Sequence, residues 1–212
     1  MGQIYRPLRI KFRDIVPGTG SPSMQIKLTL KGTKPLVWRR VLVRDQFNLG
    51  QLHDLIQMVM GWTGAFDHEF LVGDTHYGFP DPSADLFWGA PLRNEQWTRL
   101  SQIATPGLRF HYYYDLLEPW DHEILVEAIQ TGNEPLVQPR CLAGRQPCPP
   151  EESGGPRHYQ HLRNVLADPG HREYAGAWEQ WGQEIATSRF DLAATNRRLA
   201  QAYAQPLDKG NP

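Results

Sequence analysis

Apolar residues recur every three or four positions between residues 49 and 60, which predicts an amphipathic helix. The apolar members are Leu49, Leu52, Leu55, Ile56, Val59 and Met60. Asn48 is a favourable N-cap, and Gln51 three residues later can complete a capping box. Gly61 can adopt the left-handed conformation that ends a helix. We therefore predict a central helix over residues 49–60, with Leu52 in the core and Met58 on the opposite, tolerant face.

Alternating apolar and polar residues on both sides of this helix predict half-buried strands. The predicted strands cover residues 24–30, 36–43, 67–72, 75–78, 108–114 and 120–129. The last two are expected to form a hairpin. Residues 97–103 are predicted to form a short helix, and the proline- and glycine-rich residues 80–91 a surface loop. Strands around a central helix indicate an α+β fold, with a mixed or antiparallel sheet packed on that helix.

The pattern changes beyond Gly132. Residues 135–156, which hold both cysteines, are predicted to be a loop. Three helices are expected to follow: one from Pro156, one over about 171–181, and one capped by Asp191. The second is predicted to bury its aromatic residues, which are Tyr174, Trp178 and Trp181. The chain therefore ends in a cluster of helices.

The length of 212 residues suits one domain with short appendages. We predict a basic arm at residues 1–21, one α+β domain at 22–204 and a disordered tail at 205–212. No apolar run approaches the length needed to span a membrane, and the first residues have no apolar signal-peptide segment. A cytoplasmic protein without membrane contact is expected.

The net charge of −1 conceals an uneven distribution of charge. Residues 1–44 hold ten basic residues and one acidic residue, whereas the remainder has a net charge of −10. A basic N-terminal arm could bind DNA. The alternative is that these basic residues face the acidic body of the same chain.

Three histidines lie at positions where the pattern brings side chains towards the core. His53 is at the margin of the apolar stripe of the central helix, while His68 and His122 share strand faces with apolar residues. Neutral imidazoles bind metals and transfer protons, and a carboxylate can orient them. Asp115 and the tyrosines of residues 112–114 are the nearest candidate partners. We expect at least two of these histidines to line one pocket; the alternative is separate, hydrogen-bonded core histidines.

Cys141 and Cys148 could supply two thiolate ligands for zinc, completed by His158, His161 or His171. Their spacing of six intervening residues exceeds that of common zinc motifs. The alternative is a proline-rich loop with free thiols in a reducing compartment. We expect free cysteines, no cofactor and no stoichiometric zinc.

The candidate binding residues are Trp38, Arg39, Arg40, Trp62 and Trp120. Arg39 and Arg40 point to opposite faces of the second predicted strand. A guanidinium can hold a phosphate or a carboxylate in a forked pair of hydrogen bonds. The alternative is ion pairing with acidic residues on neighbouring elements. No Walker loop, dinucleotide-binding glycine motif, HExxH motif or nucleophile elbow is present.

Several short motifs occur together and in a fixed order. They are PLVWRRV at 35–41, LHDLIQ at 52–57, MGW at 60–62, HEF at 68–70, WDHEI at 120–124, CLAG at 141–144, CPPE at 148–151, GGP at 154–156 and NRRL at 196–199. In this combination the chain resembles the plasmid Orf-three-like family, named after the third open reading frame of a root-inducing plasmid. Members are also described as resolvase-like passengers of insertion elements. The resemblance covers residues 22–202 and implies an α+β fold without an established activity.

This chain departs from the family pattern in two places. Relatives usually read Tyr-Asp-Phe-Gly-Asp where this chain continues from Tyr114 with Asp-Leu-Leu-Glu-Pro, and many carry a third cysteine at the position of Ser153. Serine resolvases need an activated serine surrounded by arginines, and no such group is evident.

Three hypotheses for function follow from these observations. The first is an accessory protein of mobile-element origin that binds a protein or small-molecule partner in a surface groove and performs no chemistry. The second is a hydrolase, histidine-based or metal-dependent, that uses His53, His68, His122 and Asp115. The third is a DNA-binding accessory factor that uses the basic N-terminal arm.

Overall fold

The computed structural model describes residues 22–79, 92–132 and 136–204. The predictions of a basic arm at 1–21, a loop at 80–91 and a tail at 205–212 lie outside the described residues. No helix in the described ranges is both long enough and apolar enough to cross a bilayer.

Within the described residues, eight strands form a single sheet. They are β1 (Ser23–Leu30), β2 (Val37–Arg44), β3 (His68–Val72), β4 (Thr75–Gly78), β5 (Arg93–Asn94), β6 (Arg109–Tyr114), β7 (Trp120–Gln130) and β8 (Arg140–Arg145). Their order across the sheet is β5-β4-β3-β6-β7-β1-β2-β8. Every neighbouring pair is antiparallel except β4 and β5, so the sheet is mixed.

The helices are mostly C-terminal to the sheet. They are α1 (Leu49–Met60), α2 (Leu100–Ile103), α3 (Gly155–Leu166), α4 (Tyr174–Ala177), α5 (Gln183–Thr187) and α6 (Leu192–Ala204). A 3-10 turn, Glu95–Trp97, precedes α2, and a π-helical turn, Trp178–Gly182, joins α4 to α5. The predicted α+β fold with C-terminal helices is confirmed.

Helix α1 contacts one face of the sheet and is its central helix. The Asn48 side chain accepts a hydrogen bond from the Gln51 backbone and the Gln51 side chain accepts one from the Asn48 backbone, which forms the predicted capping box. Gly61 is left-handed, with φ of 88°. Gln57 of α1 donates a hydrogen bond to the hydroxyl of Tyr112 on β6. Arg39 of β2 donates one to the backbone oxygen of Val59 on α1. These caps place the start and end of α1 where the sequence predicts them.

Four local predictions are wrong. Met58 on α1 is buried, and Arg198 of α6 donates a hydrogen bond to its backbone oxygen. Residues 140–145 form β8 rather than a loop, because they pair with β2 and the Asn196 side chain bonds the backbone of Cys141. The segment predicted as one helix over 97–103 is a 3-10 turn followed by α2.

The predicted helix over 171–181 is the fourth difference. It is divided into α4 and the π-helical turn, and its aromatic residues are not buried in the core. Tyr174 stacks on Trp178 with ring centroids 5.8 Å apart, while 47% of Trp178 remains exposed. The aromatic spacing therefore reflects contacts within this segment and not packing against the sheet.

Candidate functional site

Two of the three candidate histidines meet in a stacked pair. His53 on α1 and His68 on β3 have ring centroids 3.6 Å apart and ring planes at 12°. They come together because α1 lies over the sheet face on which the His68 ring stands. At so short a distance, a positive charge on His68 would repel one on His53, which disfavours protonation of His53.

Tyr112 of β6 holds one side of this pair. Its hydroxyl lies 2.7 Å from Nδ1 of His53 and accepts a hydrogen bond of 2.8 Å from Nε2 of Gln57. Because Gln57 donates to the hydroxyl oxygen, the hydroxyl proton is available for Nδ1 of His53. This arrangement favours the neutral tautomer of His53 with its proton on Nε2. Burial, followed by the neighbouring His68, lowers the pKa of His53 well below its usual range.

His122 lies deeper, beside Tyr112 and Trp62. Its ring centroid is 5.4 Å from that of Tyr112 and 5.5 Å from that of Trp62. Nδ1 faces the backbone oxygens of Trp120 at 2.8 Å and Tyr112 at 3.3 Å, so it donates and carries the proton. Burial lowers the pKa of His122 to about 4, although both carbonyl contacts oppose the shift. His122 is therefore neutral at pH 7, and its ring is separated from the pair by Tyr112, which contacts both rings of the pair.

The carboxylate beside the pair is Glu95 and not Asp115. Glu95, in the 3-10 turn, contacts Nε2 of His68 through Oε2 at 2.8 Å and is 3% exposed. Asp115 has a positive φ of 59° in the β6–β7 turn. In the described part of the chain, no hydrogen bond or ion pair joins it to His53, His68 or His122. The turn directs Asp115 away from the histidines although it directly follows Tyr114.

Asp54 is a second acidic group near the pair. Its pKa is raised from the ordinary value of 3.8 to about 7, chiefly by burial, with His68 opposing the shift and Glu95 adding to it. Sequence reasoning missed Asp54, Gln57 and Glu95. A usable signal existed for Gln57, because it lies one helical turn after His53 and is thus a polar residue on the same side of α1.

We expect Asp54→Asn to stabilise the protein at high pH only. Because the folded-state pKa of about 7 exceeds the ordinary 3.8, the folded protein binds a proton that the unfolded chain releases between these values. The stability contributed by that proton is fully present below about pH 4 and is lost as the pH rises through about 7. The asparagine variant should melt at a higher temperature than the wild type at pH 8.5, and at the same temperature at pH 4.

The exposed Asp74 provides a matched control, and Asp74→Asn should change neither melting temperature. Equal melting of wild type and Asp54→Asn at both pH values would contradict the expectation.

A cleft of about 280 Å³ opens at the C-terminal end of α1. Its walls are formed by the end of α1 with Gly61 and Trp62, by residues 147–151, and by residues from the α5–α6 region that include Phe190 and Arg198. None of the three candidate histidines belongs to its lining. The histidine pair and the cleft are therefore separate features.

The five candidate binding residues do not share one groove. Arg39 and Trp62 line the cleft, whereas Trp120 is fully buried and packs on Trp62 with ring centroids 5.6 Å apart. Trp38 and Arg40 lie on the opposite face of β2, because side chains alternate along a strand. There Arg40 forms an ion pair with Glu127 at 2.6 Å. The ion-pair alternative given for the two arginines thus describes Arg40.

Both cysteines are free thiols. Cys141 is buried on β8, and Cys148 lines the cleft. Burial raises the pKa of Cys148 to about 11, with the nearby Arg39 opposing the shift, so it is a neutral thiol at pH 7. Across residues 22–79, 92–132 and 136–204, no three His, Cys, Asp or Glu side chains converge to form a possible metal site. Cys141 and Cys148 therefore have no third ligand within the described part.

Comparison with known proteins identifies the family. The model of the plasmid pRiA4b ORF-3-like proteins matches residues 22–198. The chain belongs to the plasmid pRiA4b ORF-3-like family. The resemblance inferred from the motifs is thus confirmed, and it extends over the whole sheet and most of α6.

Two relatives extend the comparison. The uncharacterized protein y4hQ of Sinorhizobium fredii is 36% identical over 177 residues, which cover 82% of this chain and 86% of that protein. The crystal structure of MM3350, a protein of unknown function from Methanosarcina mazei Go1, superposes with a TM-score of 0.74 at 29% identity. The superposed region covers 83% of this chain and 98% of the MM3350 chain. Neither name states an activity, so the function of this family member is inferred from its own geometry.

Proposed function

We propose that this pRiA4b ORF-3-like protein is a binding protein that holds a small molecule in the cleft between α1 and α6 and performs no reaction on it. The cleft itself carries this proposal. Its volume of about 280 Å³ is just below the range of roughly 300–1,000 Å³ found for ligand pockets, so it suits a small ligand. Its lining combines the aromatic rings of Trp62 and Phe190 and several prolines with charged groups, and it is more polar than most ligand pockets.

The chemistry of the lining supports binding without catalysis. Cys148 is its thiol, and a neutral thiol is a poor nucleophile. Glu151 accepts hydrogen bonds from the backbone and hydroxyl of Thr63, from the backbone of Ala65 and from the hydroxyl of Tyr114. These four donors engage both oxygens of the Glu151 carboxylate. The lining therefore offers contacts, while its thiol is not an activated nucleophile.

The two other functional hypotheses receive less support. His53, His68 and His122 do not line the cleft, so a substrate bound in the cleft would not meet the residues of the hydrolase hypothesis. The DNA-binding hypothesis depends on residues 1–21, which are outside the described ranges. Within the described ranges, the basic residue Arg40 is already paired with Glu127. An accessory role of mobile-element origin is part of our proposal, supported by the plasmid reading frame that gives the family its description.

The proposal is tested by filling the cleft. Ala194 on α6 lines it and is half-buried, so Ala194→Phe inserts a ring into the cleft without removing a side-chain hydrogen bond. A mixed library of neutral, anionic and cationic fragments should contain binders detectable by ligand-observed NMR with wild-type protein. Their dissociation constants should rise at least about tenfold in Ala194→Phe, equivalent to roughly 1.4 kcal/mol.

Ala193→Phe is the matched control, because Ala193 is exposed on the same helix and does not line the cleft. It should bind the fragments as the wild type does. Binding that is equally strong in both variants, or a library without any binder, would refute the proposed function.

A further inference from the structure

We infer that the ligand of the cleft is an organic anion whose carboxylate or phosphate group lies between the guanidinium groups of Arg39 and Arg198 and whose apolar body packs against Trp62. This inference rests on the proposed function and adds the chemical class of the ligand. It is supported by the charges of the lining, by the partners that each charge already has, and by the apolar surface next to them.

Arg39 is a buried cation without a carboxylate partner. It is 2% exposed. Its guanidinium donates to the backbone oxygens of Val59 at 3.1 Å, Trp38 at 2.8 Å and Arg145 at 3.0 Å, and to Sγ of Cys148 at 3.0 Å. These contacts use neutral acceptors and leave one of the five N–H groups of an arginine unused. Among the described residues, no carboxylate oxygen lies within 4.0 Å of it.

A second guanidinium faces the same cleft from α6. Arg198 makes only long hydrogen bonds, each of 3.4 Å, from Nη2 to the backbone oxygen of Met58 and to Oγ1 of Thr195. It too has no carboxylate within ion-pair distance in the described ranges. Neither guanidinium therefore has a carboxylate partner among the described residues, and both line a partly enclosed site.

Two of the three acidic residues of the lining have other partners, and the third, Glu184, is exposed on α5. Glu151 is held by Thr63, Ala65 and Tyr114, as described above. Asp191 caps α6, with Oδ1 accepting from the backbone of Ala194 at 2.9 Å. In the described ranges none of these three carboxylates forms an ion pair with Arg39 or Arg198 within 4.0 Å, although the charge of Asp191 acts on Arg198 from a longer distance. An anion from solution is the partner that the two cations lack.

The remaining lining selects an apolar body for this anion. The Phe190 ring lies over the Arg39 guanidinium at 4.1 Å and shields it from water. The Trp62 indole is fixed by a hydrogen bond of 2.9 Å from Nε1 to the backbone oxygen of Pro149, so its ring is a rigid wall. A shielded charge interacts more strongly with an anion than an exposed one does. The site therefore suits a small aromatic or aliphatic acid better than an inorganic ion.

Four probes that share a phenyl ring test the charge of the ligand: benzoate, phenyl phosphate, benzamide and benzylamine. Their dissociation constants are measured by NMR titration of the full-length protein at low salt. At least one of the two anions should bind about tenfold more tightly than benzamide, since charge-assisted hydrogen bonds are roughly twice as strong as neutral ones. The ratio of the dissociation constants of benzoate and phenyl phosphate then shows whether a carboxylate or a phosphate is preferred.

Arg198→Gln and Arg197→Gln are matched variants, because both remove one positive charge from exposed positions on α6 and only Arg198 lines the cleft. Arg198→Gln should raise the dissociation constants of the anions about fivefold or more and leave that of benzamide unchanged. Arg197→Gln should change none of these dissociation constants. Equal binding of benzamide and the anions, or equal effects of the two variants, overturns the inference and leaves the proposed function standing. Failure of all four probes to bind overturns the inference and counts against the cleft as a small-molecule site.

Discussion

Leu52→Ala is expected to lower the free energy of unfolding by about 2–5 kcal/mol, the usual range for truncating a large buried side chain. Leu52 is 0% exposed and lies in the first half of α1, the helix against which the sheet packs. Truncation removes its contacts and leaves a cavity that a densely packed core cannot fill completely. Chemical denaturation followed by circular dichroism measures the loss.

The control makes the same chemical change at the surface. Leu117 is 87% exposed in the β6–β7 turn, and Leu117→Ala should leave the unfolding free energy nearly unchanged. Met58→Ala, which the sequence predicted to be harmless, is now expected to destabilise the protein, because Met58 is only 8% exposed. If Leu52→Ala and Leu117→Ala unfold at the same denaturant concentration, α1 is not the central core helix.

Arg39→Lys is expected to cost about 2–4 kcal/mol of stability, because hydrogen bonds that involve a charged group contribute roughly 1.5–3 kcal/mol each. An ammonium group has three donors and no planar fork, so it cannot serve the backbone oxygens of Trp38, Val59 and Arg145 together with the Cys148 sulfur. At least one buried acceptor loses its donor, although the positive charge is retained.

Arg40→Lys is the control from the neighbouring position. Arg40 lies on the opposite face of β2, where its side chain is 32% exposed and paired with Glu127. Lysine can keep a surface ion pair of this kind, which contributes only about 0–1 kcal/mol. Equilibrium unfolding in urea should therefore separate the two variants clearly. Equal stability of Arg39→Lys and Arg40→Lys would mean that the buried guanidinium network contributes little.

Local interactions explain why the sequence predicted α1 and most strands. The capping box links Asn48 to a residue three positions away, and Gly61 ends the helix through its own backbone conformation. The alternation in β1, β6 and β7 depends on the direction of successive side chains along one strand. Signals of this kind act within a few residues, so they are visible in a single sequence.

The environment of each functional side chain depended instead on distant residues. His53 meets the hydroxyl of Tyr112 across 59 positions, and Arg39 meets Cys148 across 109. The sequence indicated the tyrosines and Asp115 as histidine partners, because they are close to one another along the chain, and it did not indicate Glu95. Only the packing of the 3-10 turn against β3 placed Glu95 beside His68.

The sequence by itself determined the α+β class, the central helix with its caps, and the family, since these follow from local periodicity and short ordered motifs. The tertiary structure alone decided that β8 forms, that Met58 is buried, and that the cleft joins Arg39 to Arg198. Each of these depends on α6, whose residues lie on β8, α1 and the cleft at once. Contacts between elements so far apart in the chain leave no periodic signal, because their partners are selected by shape and hydrogen bonding only after the chain has folded.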